Sequence, residues 1–309
     1  MQRLVIDTDI GSDVDDVVAL TAALGDPRVD LVGITTVYGD TRRRAGIAAR
    51  ICEFAGIAPA IVPGARETLS GKPVWWFGYE GDNYDRLDSP LVVDDDATEF
   101  LLDAASASPG ELNILAIGPL TNIASAIQAD AAFAANVNRV YIMGGWFGSS
   151  KAEHNFLCDI TATAAVFESG MECVLAPLDA TGTVVLDGSD YAAIGGWGPI
   201  GRLIELDAST LLRYMSDTFG DHELYGDWRD RDWSSPHDAM ALLPMLYPDR
   251  FEFRVGRVEI GTSGEALGRS SWVDDDAGNV RLLSHWDRSW VHDSIMELVR
   301  AGCARAATA

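Results

Sequence analysis

"LVIDTDIGSDVDDVVAL", residues 4–20, places five aspartates, Asp7, Asp9, Asp13, Asp15 and Asp16, within ten positions directly after a short apolar run. The apolar run reads as a buried strand, and "VVAL" as the start of the helix that follows it. Like charges this close repel, so the fold must supply something positive at the strand end. An acidic helix start accounts in part for Asp15 and Asp16. It does not account for Asp7 and Asp9, which close the strand. An all-oxygen donor set suits a hard divalent cation, Ca²⁺ or Mg²⁺, rather than zinc. A calcium loop of the D-x-D-x-D-G type fits poorly, because Ser12 stands where the loop needs glycine and no glutamate falls at its twelfth position.

Outward from this stretch, apolar strand-like runs alternate with helical patterns. "LVGITTVY", "LNILAIG", "RVYIMGG" and "ECVLAPLD" read as further strands. "TRRRAGIAARICEFAG" and the stretches 97–107, 119–136 and 161–169 read as helices. The alternation predicts one α/β domain over residues 1–309, with a mostly parallel central sheet flanked by helices. Beyond residue 250 the chain reads as β-structure, a small C-terminal hairpin turning at "DDDAGN", residues 274–279. Two loops are unusually long, 70–85 and 220–238; the second, with Trp228 and Trp233, is a candidate lid.

The 309-residue chain carries 23 Lys+Arg against 47 Asp+Glu, a formal charge of −24. Phosphate backbones and anionic membranes should repel it, so neither a nucleic acid polymer nor a membrane is an expected partner. The chain opens without a charged-then-apolar leader, and no run is long enough to span a bilayer. Cys52, Cys158, Cys173 and Cys303 form no C-x-x-C pair. Reduced thiols in a cytoplasmic protein are the expectation.

In an open parallel sheet, ligands bind beyond the carboxyl ends of the strands. The residues expected there are the aspartate cluster, Asp40, Thr121 and Asn122, Glu153 and Asn155, and Asp179. His237 and Asp238, in "SSPHDAMALL", open a helical pattern after the long loop. If that helix start faces the cluster, Asp238 adds a metal ligand and His237 hangs over the substrate. A phosphoryl-transfer site, with "VIDTDIG" supplying nucleophile and acid, is a rival. Gly11 and a total of two lysines, Lys72 and Lys151, disfavour it.

Seven pieces occur in order: "DTDIG" (7–11), "DDVVAL" (15–20), "ITTVYGD" (34–40), "AIGPLTN" (116–122), "MGG" (143–145), "AEHN" with "CD" (152–159) and "PHDAMALL" (236–243). Together they resemble the inosine–uridine-preferring nucleoside hydrolase family over about residues 3–275. The resemblance implies a Rossmann-related fold and a homodimeric or homotetrameric salvage enzyme acting on purine or pyrimidine nucleosides. It implies Ca²⁺-dependent hydrolysis of the ribonucleoside N-glycosidic bond by a metal-bound water, through an oxocarbenium-like transition state. Carried over position by position, it makes Asp9 a calcium ligand and the base that takes the water proton. Asp16, Asp238 and the Thr121 carbonyl complete the metal shell, and Asp15, Glu153 and Asn155 hold the ribose. Asp40 stands in for an asparagine at the sugar, and His237 protonates the departing base. The chain departs from the pattern in several places: the insertion of Asp13 and Val14, His154 in place of a common phenylalanine, and no asparagine between Gly145 and Glu153. In the 70–85 loop a common histidine is missing, so Tyr79 or Glu80 is expected to line the base pocket. Trp75, Trp76, Trp146, Trp228 and Trp233 lie in loops near the rim, where one or two would stack on a base. The remaining readings are a Mg²⁺-dependent phosphohydrolase and a non-catalytic relative that binds calcium or a nucleoside.

Overall fold

The computed structural model describes residues 1–222 and 226–305. Its strands are β1 (Gln2–Thr8), β2 (Val29–Thr36), β3 (Ala60–Pro63), β4 (Leu112–Ala116), β5 (Val137–Met143), β6 (Cys173–Ala176), the two-residue pair β7 (Asp221–His222) and β8 (Gly226–Asp227), β9 (Glu252–Ile260), β10 (Ser270–Asp274) and β11 (Val280–His285). The helices are α1 (Asp15–Gly25), α2 (Thr41–Phe54), α3 (Ala97–Ser106), α4 (Thr121–Ala129), α5 (Phe133–Asn136), α6 (His154–Cys158), α7 (Ile160–Glu168), α8 (Leu178–Thr181), α9 (Gly188–Gly195), α10 (Pro199–Thr218), α11 (His237–Leu246) and α12 (Arg288–Arg305).

Nine strands form one sheet in the order β10-β9-β11-β6-β5-β4-β1-β2-β3. From β11 to β3 every neighbouring pair is parallel, and only β9 runs against its neighbours. Burial on both faces explains the near-continuous apolar strands. Within β1, Leu4 and Ile6 join one core cluster and Val5 the other; Leu115 and Ile114 of β4 divide the same way. Helices α1, α2, α10, α11 and α12 cover the first face, and α3, α4 and α7 the second.

The chain leaves β1 for β2 and β3 on one side, then returns to place β4 on the other side of β1. At that reversal the connections after β1 and β4 diverge and open a crevice at the carboxyl ends. The aspartate cluster stands at this crevice.

Two expectations need correction. The strands flanking residues 274–279 do not pair with each other: β10 and β11 lie on opposite sides of β9, and β11 joins the main sheet through β6. The antiparallel hairpin is β9–β10, with its turn in 261–269. The helix expected over 119–136 is two, α4 and α5. They are broken at Asp130, whose backbone is extended and whose side chain accepts the Ala132 N–H at 2.8 Å. Among the described residues no helix is long and apolar enough to cross a membrane. The four cysteines are free and buried.

Candidate active site

After β1 the chain turns through Gly11, whose φ of +111° and closeness to Ile47 leave no room for a side chain. The inserted Asp13 closes the resulting bulge, its Oδ1 accepting the N–H groups of Val14 at 2.6 Å and Asp15 at 3.4 Å. Asp15 and Asp16 then form the first turn of α1. Asp238 enters from the first turn of α11, which packs against α1. One carboxylate oxygen each of Asp15, Asp16 and Asp238 lies within 4.8 Å of the other two, and all three residues are buried. Asp16 also accepts the Thr8 hydroxyl, and Asp15 Oδ1 accepts the Asp16 N–H at 3.1 Å.

Burial, then the charges of the neighbouring aspartates, raise the carboxyls of Asp15, Asp16 and Asp238 well above the usual range. Three ionised carboxylates this close need a cation, and their oxygens are the donors that a hard divalent ion takes. The cluster can therefore hold a metal ion. Nearby positive charge comes from buried Arg44, which eases the burial cost at Asp9 and Asp16. Its guanidinium donates to the carbonyls of Asp9, Ile10 (2.9 Å) and Tyr38 (2.7 Å) and to Ser12 Oγ (3.1 Å). Asp9 packs against Gly118 across the sheet reversal. A Cβ on Gly118 would sit 2.9 Å from Asp9 Oδ1, so only glycine admits the carboxylate there.

These residues floor a cavity of about 600 Å³. Asp9, Asp13, Asp15, Asp16 and Asp238 occupy one end, and Trp75, Phe77, Trp146 and Trp228 line the walls. Trp75 and Phe77 continue through Tyr79 and Tyr214 into an aromatic cluster with ring centroids 4.9–5.6 Å apart. Of the other rim tryptophans, Trp76 lies under Arg44 and Trp233 under Arg231. The polar end suits a polyol on a metal, and the aromatic end a flat heterocycle.

The structure brings most of the expected residues together. Glu153 and Asn155 line the cavity, but much of their bonding capacity is spent within the protein. Glu153 caps α6, accepting the N–H groups of Asn155, Phe156 and Gly145 at 2.7–3.1 Å. The Asn155 amide donates to the carbonyls of Ile117 and Met143. His237 lines the cavity beside Asp238, its Nδ1 2.8 Å from Thr181 Oγ1. Burial, then the charge of Arg231, lowers its pKa to about 4. Asp7 lies in the sheet rather than at the cavity. It accepts from Thr35 (2.6 Å) and Asn122 (2.7 Å), and burial raises it to about 7.

Five residues stand elsewhere. Thr121 does not line the cavity: its hydroxyl donates to Asp159 at 2.8 Å and its carbonyl accepts from Ser125 at 2.8 Å. The residue of that loop at the cavity is Ile117. Asp40 caps α2 through the Arg43 N–H and borders two open surface hollows instead. Asp179 binds the N–H groups of Phe147 and Gly148, both at 2.7 Å. Glu80 is fully buried and lines no part of the cavity; it accepts from Phe77 and Gly78 N–H (2.9 and 2.8 Å) and from Ser12 Oγ (3.1 Å). Tyr79 donates its hydroxyl to the Ser12 carbonyl. The 220–238 segment contributes Trp228, His237 and Asp238 to the cavity; its residues 223–225 lie outside the described residues.

Sequence reasoning missed Leu211 and Met215 of α10 and Leu267 and Arg269 of the β9–β10 turn, all at the cavity. The i, i+4 apolar pair on a helix was a legible signal for the first two.

A family model described as inosine-uridine preferring nucleoside hydrolase matches residues 4–293. The probable uridine nucleosidase 2 of Oryza sativa subsp. japonica is 31% identical, over 87% of this chain and 81% of its own. The pyrimidine-specific ribonucleoside hydrolase RihB of Escherichia coli O157:H7 is 26% identical over 97% of each chain. The solved structure "Plant nucleoside hydrolase - PpNRh1 enzyme" superposes with a TM-score of 0.84 at 25% identity, covering 96% of this chain and 98% of that one.

Proposed function

Because the chain belongs to the inosine–uridine preferring nucleoside hydrolase family, and is thus an N-glycosyl hydrolase acting on ribonucleosides, we propose that it works with Ca²⁺ at the floor described above. The observation that carries this is the convergence of Asp15, Asp16 and Asp238, from segments more than 220 residues apart, on one end of an aromatic-walled cavity.

Asp15, Asp16 and Asp238 would hold the ion: Asp15, expected at the ribose, joins the metal set, while Asp9, expected as a ligand, lines the same end of the cavity outside that group of three. The backbone oxygen expected of Thr121 is assigned instead to Ile117, whose carbonyl lies 3.2 Å from Asn155 Nδ2 at the cavity. When bound, calcium supplies Lewis acidity and a fixed positive charge for the vicinal hydroxyls of the sugar. Asp9 receives the proton of the attacking water. Its carboxylate, seated against Gly118, has little freedom to turn away. The surrounding carboxylates stabilise the positive charge that grows on the ribose as the bond to the base breaks. The aromatic walls hold the base, and Asn155 and Glu153 border the sugar.

His237 is the proposed proton donor to the base. Its imidazole is neutral near pH 7 in the free protein. Negative charge developing on the departing base raises the proton affinity of the adjacent imidazole, which takes up a proton from solvent as the bond breaks, passes it to the base nitrogen and returns to its neutral form.

The decisive experiment incubates the protein with uridine, inosine and a generic phosphate ester, with and without a calcium chelator. Reducing sugar from the nucleosides, lost on chelation and restored by Ca²⁺ better than by Mg²⁺, is the expected result. Phosphate release, or turnover indifferent to the chelator, would reject the reading. A salvage role and a dimeric or tetrameric state belong to the same proposal and rest on the family resemblance; a cytoplasmic location belongs to it too and rests on the four free, buried cysteines.

A further inference from the structure

His154 stands between the two residues that border the sugar, with its ring exposed at the cavity. The ring is held on two sides. It leans on Trp75, with centroids 5.8 Å apart and planes at 58°, and its Nε2 lies 3.5 Å from Cys158 Sγ one helical turn along. Cys158 is itself buried, packed with Val37 and Tyr38, so the sulfur is a fixed anchor.

That contact constrains the ring proton. If the thiol donates to Nε2, the neutral imidazole carries its hydrogen on Nδ1. If the proton crosses to the ring, Nε2–H donates to the thiolate, and Nδ1 is again protonated. In both arrangements Nδ1–H is the donor left over, and a neutral thiol is too weak an acceptor to favour the remaining one, Nε2–H donating to sulfur; among the described residues no protein group is hydrogen-bonded to Nδ1.

The floor is mostly acceptors, although Ser150, Lys151 and Arg269 also line the cavity. Asp9, Asp13, Asp15, Asp16, Asp238 and Glu153 only accept when ionised. The Asn155 amide is spent on Ile117 and Met143. A sugar hydroxyl can give its hydrogen to such a floor, but its oxygen then finds no donor among those carboxylates. With the 2′,3′-diol of a ribonucleoside on the floor, the base and the 5′-hydroxymethyl group both rise from the opposite face of the ring. They point toward the aromatic walls against which His154 leans.

We infer that His154 donates a hydrogen bond to the 5′-hydroxyl of the bound nucleoside, and that Cys158 is a positioning residue that keeps the donor on Nδ1. The inference rests on the hydrolase reading and adds a substrate contact to it. The test compares kcat/KM for uridine and 5′-deoxyuridine in the wild type, His154→Phe and Cys158→Ala, with the imidazole ¹⁵N resonances recorded on the free protein. The wild type should prefer uridine by about tenfold, the worth of one hydrogen bond to a hydroxyl. His154→Phe should lose that factor on uridine and little on 5′-deoxyuridine. Cys158→Ala should shrink the preference and mix the tautomers, with an unchanged melting temperature. Equal losses on both substrates, an unaltered preference in His154→Phe, or an Nε2–H tautomer in the wild type would overturn the assignment. A wild type inactive on both nucleosides would instead sink the hydrolase reading, and the substrate contact with it.

Discussion

Asp15, Asp16 and Asp238 enter the cavity from the first turns of two packed helices, whereas Trp75, Phe77 and Trp228 enter from segments with no regular structure. The carboxylates are therefore located by the same contacts that make the core, since α1 and α11 share one apolar cluster under the sheet. The aromatic side chains are located by a few hydrogen bonds and by one another. Glu80 ties down the N–H groups of Phe77 and Gly78, and Tyr38 accepts the Trp75 N–H at 2.9 Å. Floor geometry should tolerate almost no change. Wall geometry should tolerate changes that shift substrate preference without stopping the chemistry.

The largest effect should follow a cut into the floor. Asp9→Asn should lower kcat by at least about 10³-fold, because the water loses both its base and part of its electrostatic setting. Calorimetric titration should show weaker Ca²⁺ binding in the same variant. A wild-type rate would remove Asp9 from the chemistry. Next in size is His237→Ala, expected to cost about 10²-fold with inosine and far less with a nucleoside whose leaving group departs unaided. Equal losses on the two substrates would argue that the imidazole only fills space.

Effects on the walls should be smaller and of another kind. Trp75→Ala should raise KM for uridine about tenfold with a lesser change in kcat, as expected when one stacking partner is removed; a loss confined to kcat would contradict the assignment of this wall to the base. Glu80→Gln, a neutral isostere without contact to the cavity, should lower stability by about 1–3 kcal/mol in thermal or urea unfolding. It should also raise KM, by loosening the turn that carries Phe77. Unchanged stability would mean that the turn is held by its aromatic contacts alone.

The gentlest test is a pH series on metal-free protein. The carboxyls of Asp15, Asp16 and Asp238 are raised by burial and mutual repulsion. Between the unfolded value near 4 and the higher folded values, the native state holds protons that the unfolded chain has released. Stability of the apo protein should therefore fall as pH rises from about 4 toward neutrality, and saturating Ca²⁺ should flatten that slope. A melting temperature that climbs over the same range would show that the three groups do not share one buried site.

The same division decides what could be read from the sequence. Asp16 and Asp238 were legible because helix starts and strand ends leave periodic marks, and five strand ends aim at one rim in any parallel sheet. Backbone roles were not legible. Both Ile117 and Thr121 follow β4, and only the fold shows that Thr121 has already begun α4 and given its carbonyl to Ser125. Asp40 follows a strand end as well, yet its carboxylate is used to start α2. Trp75 and Trp76 are adjacent and chemically identical, but one lines the cavity and the other lies under Arg44. The pairing of β10 and β11 with β9 rather than with each other follows from β11 completing the sheet beside β6, a contact across more than 100 residues that no local pattern records.

Ser12 belongs to both regions at once. Its hydroxyl receives Arg44 and reaches Glu80, and its carbonyl receives Tyr79. One small residue thus rivets the acidic turn after β1 to the aromatic turn. A designer retuning selectivity should therefore graft the aromatic turn whole, anchors included.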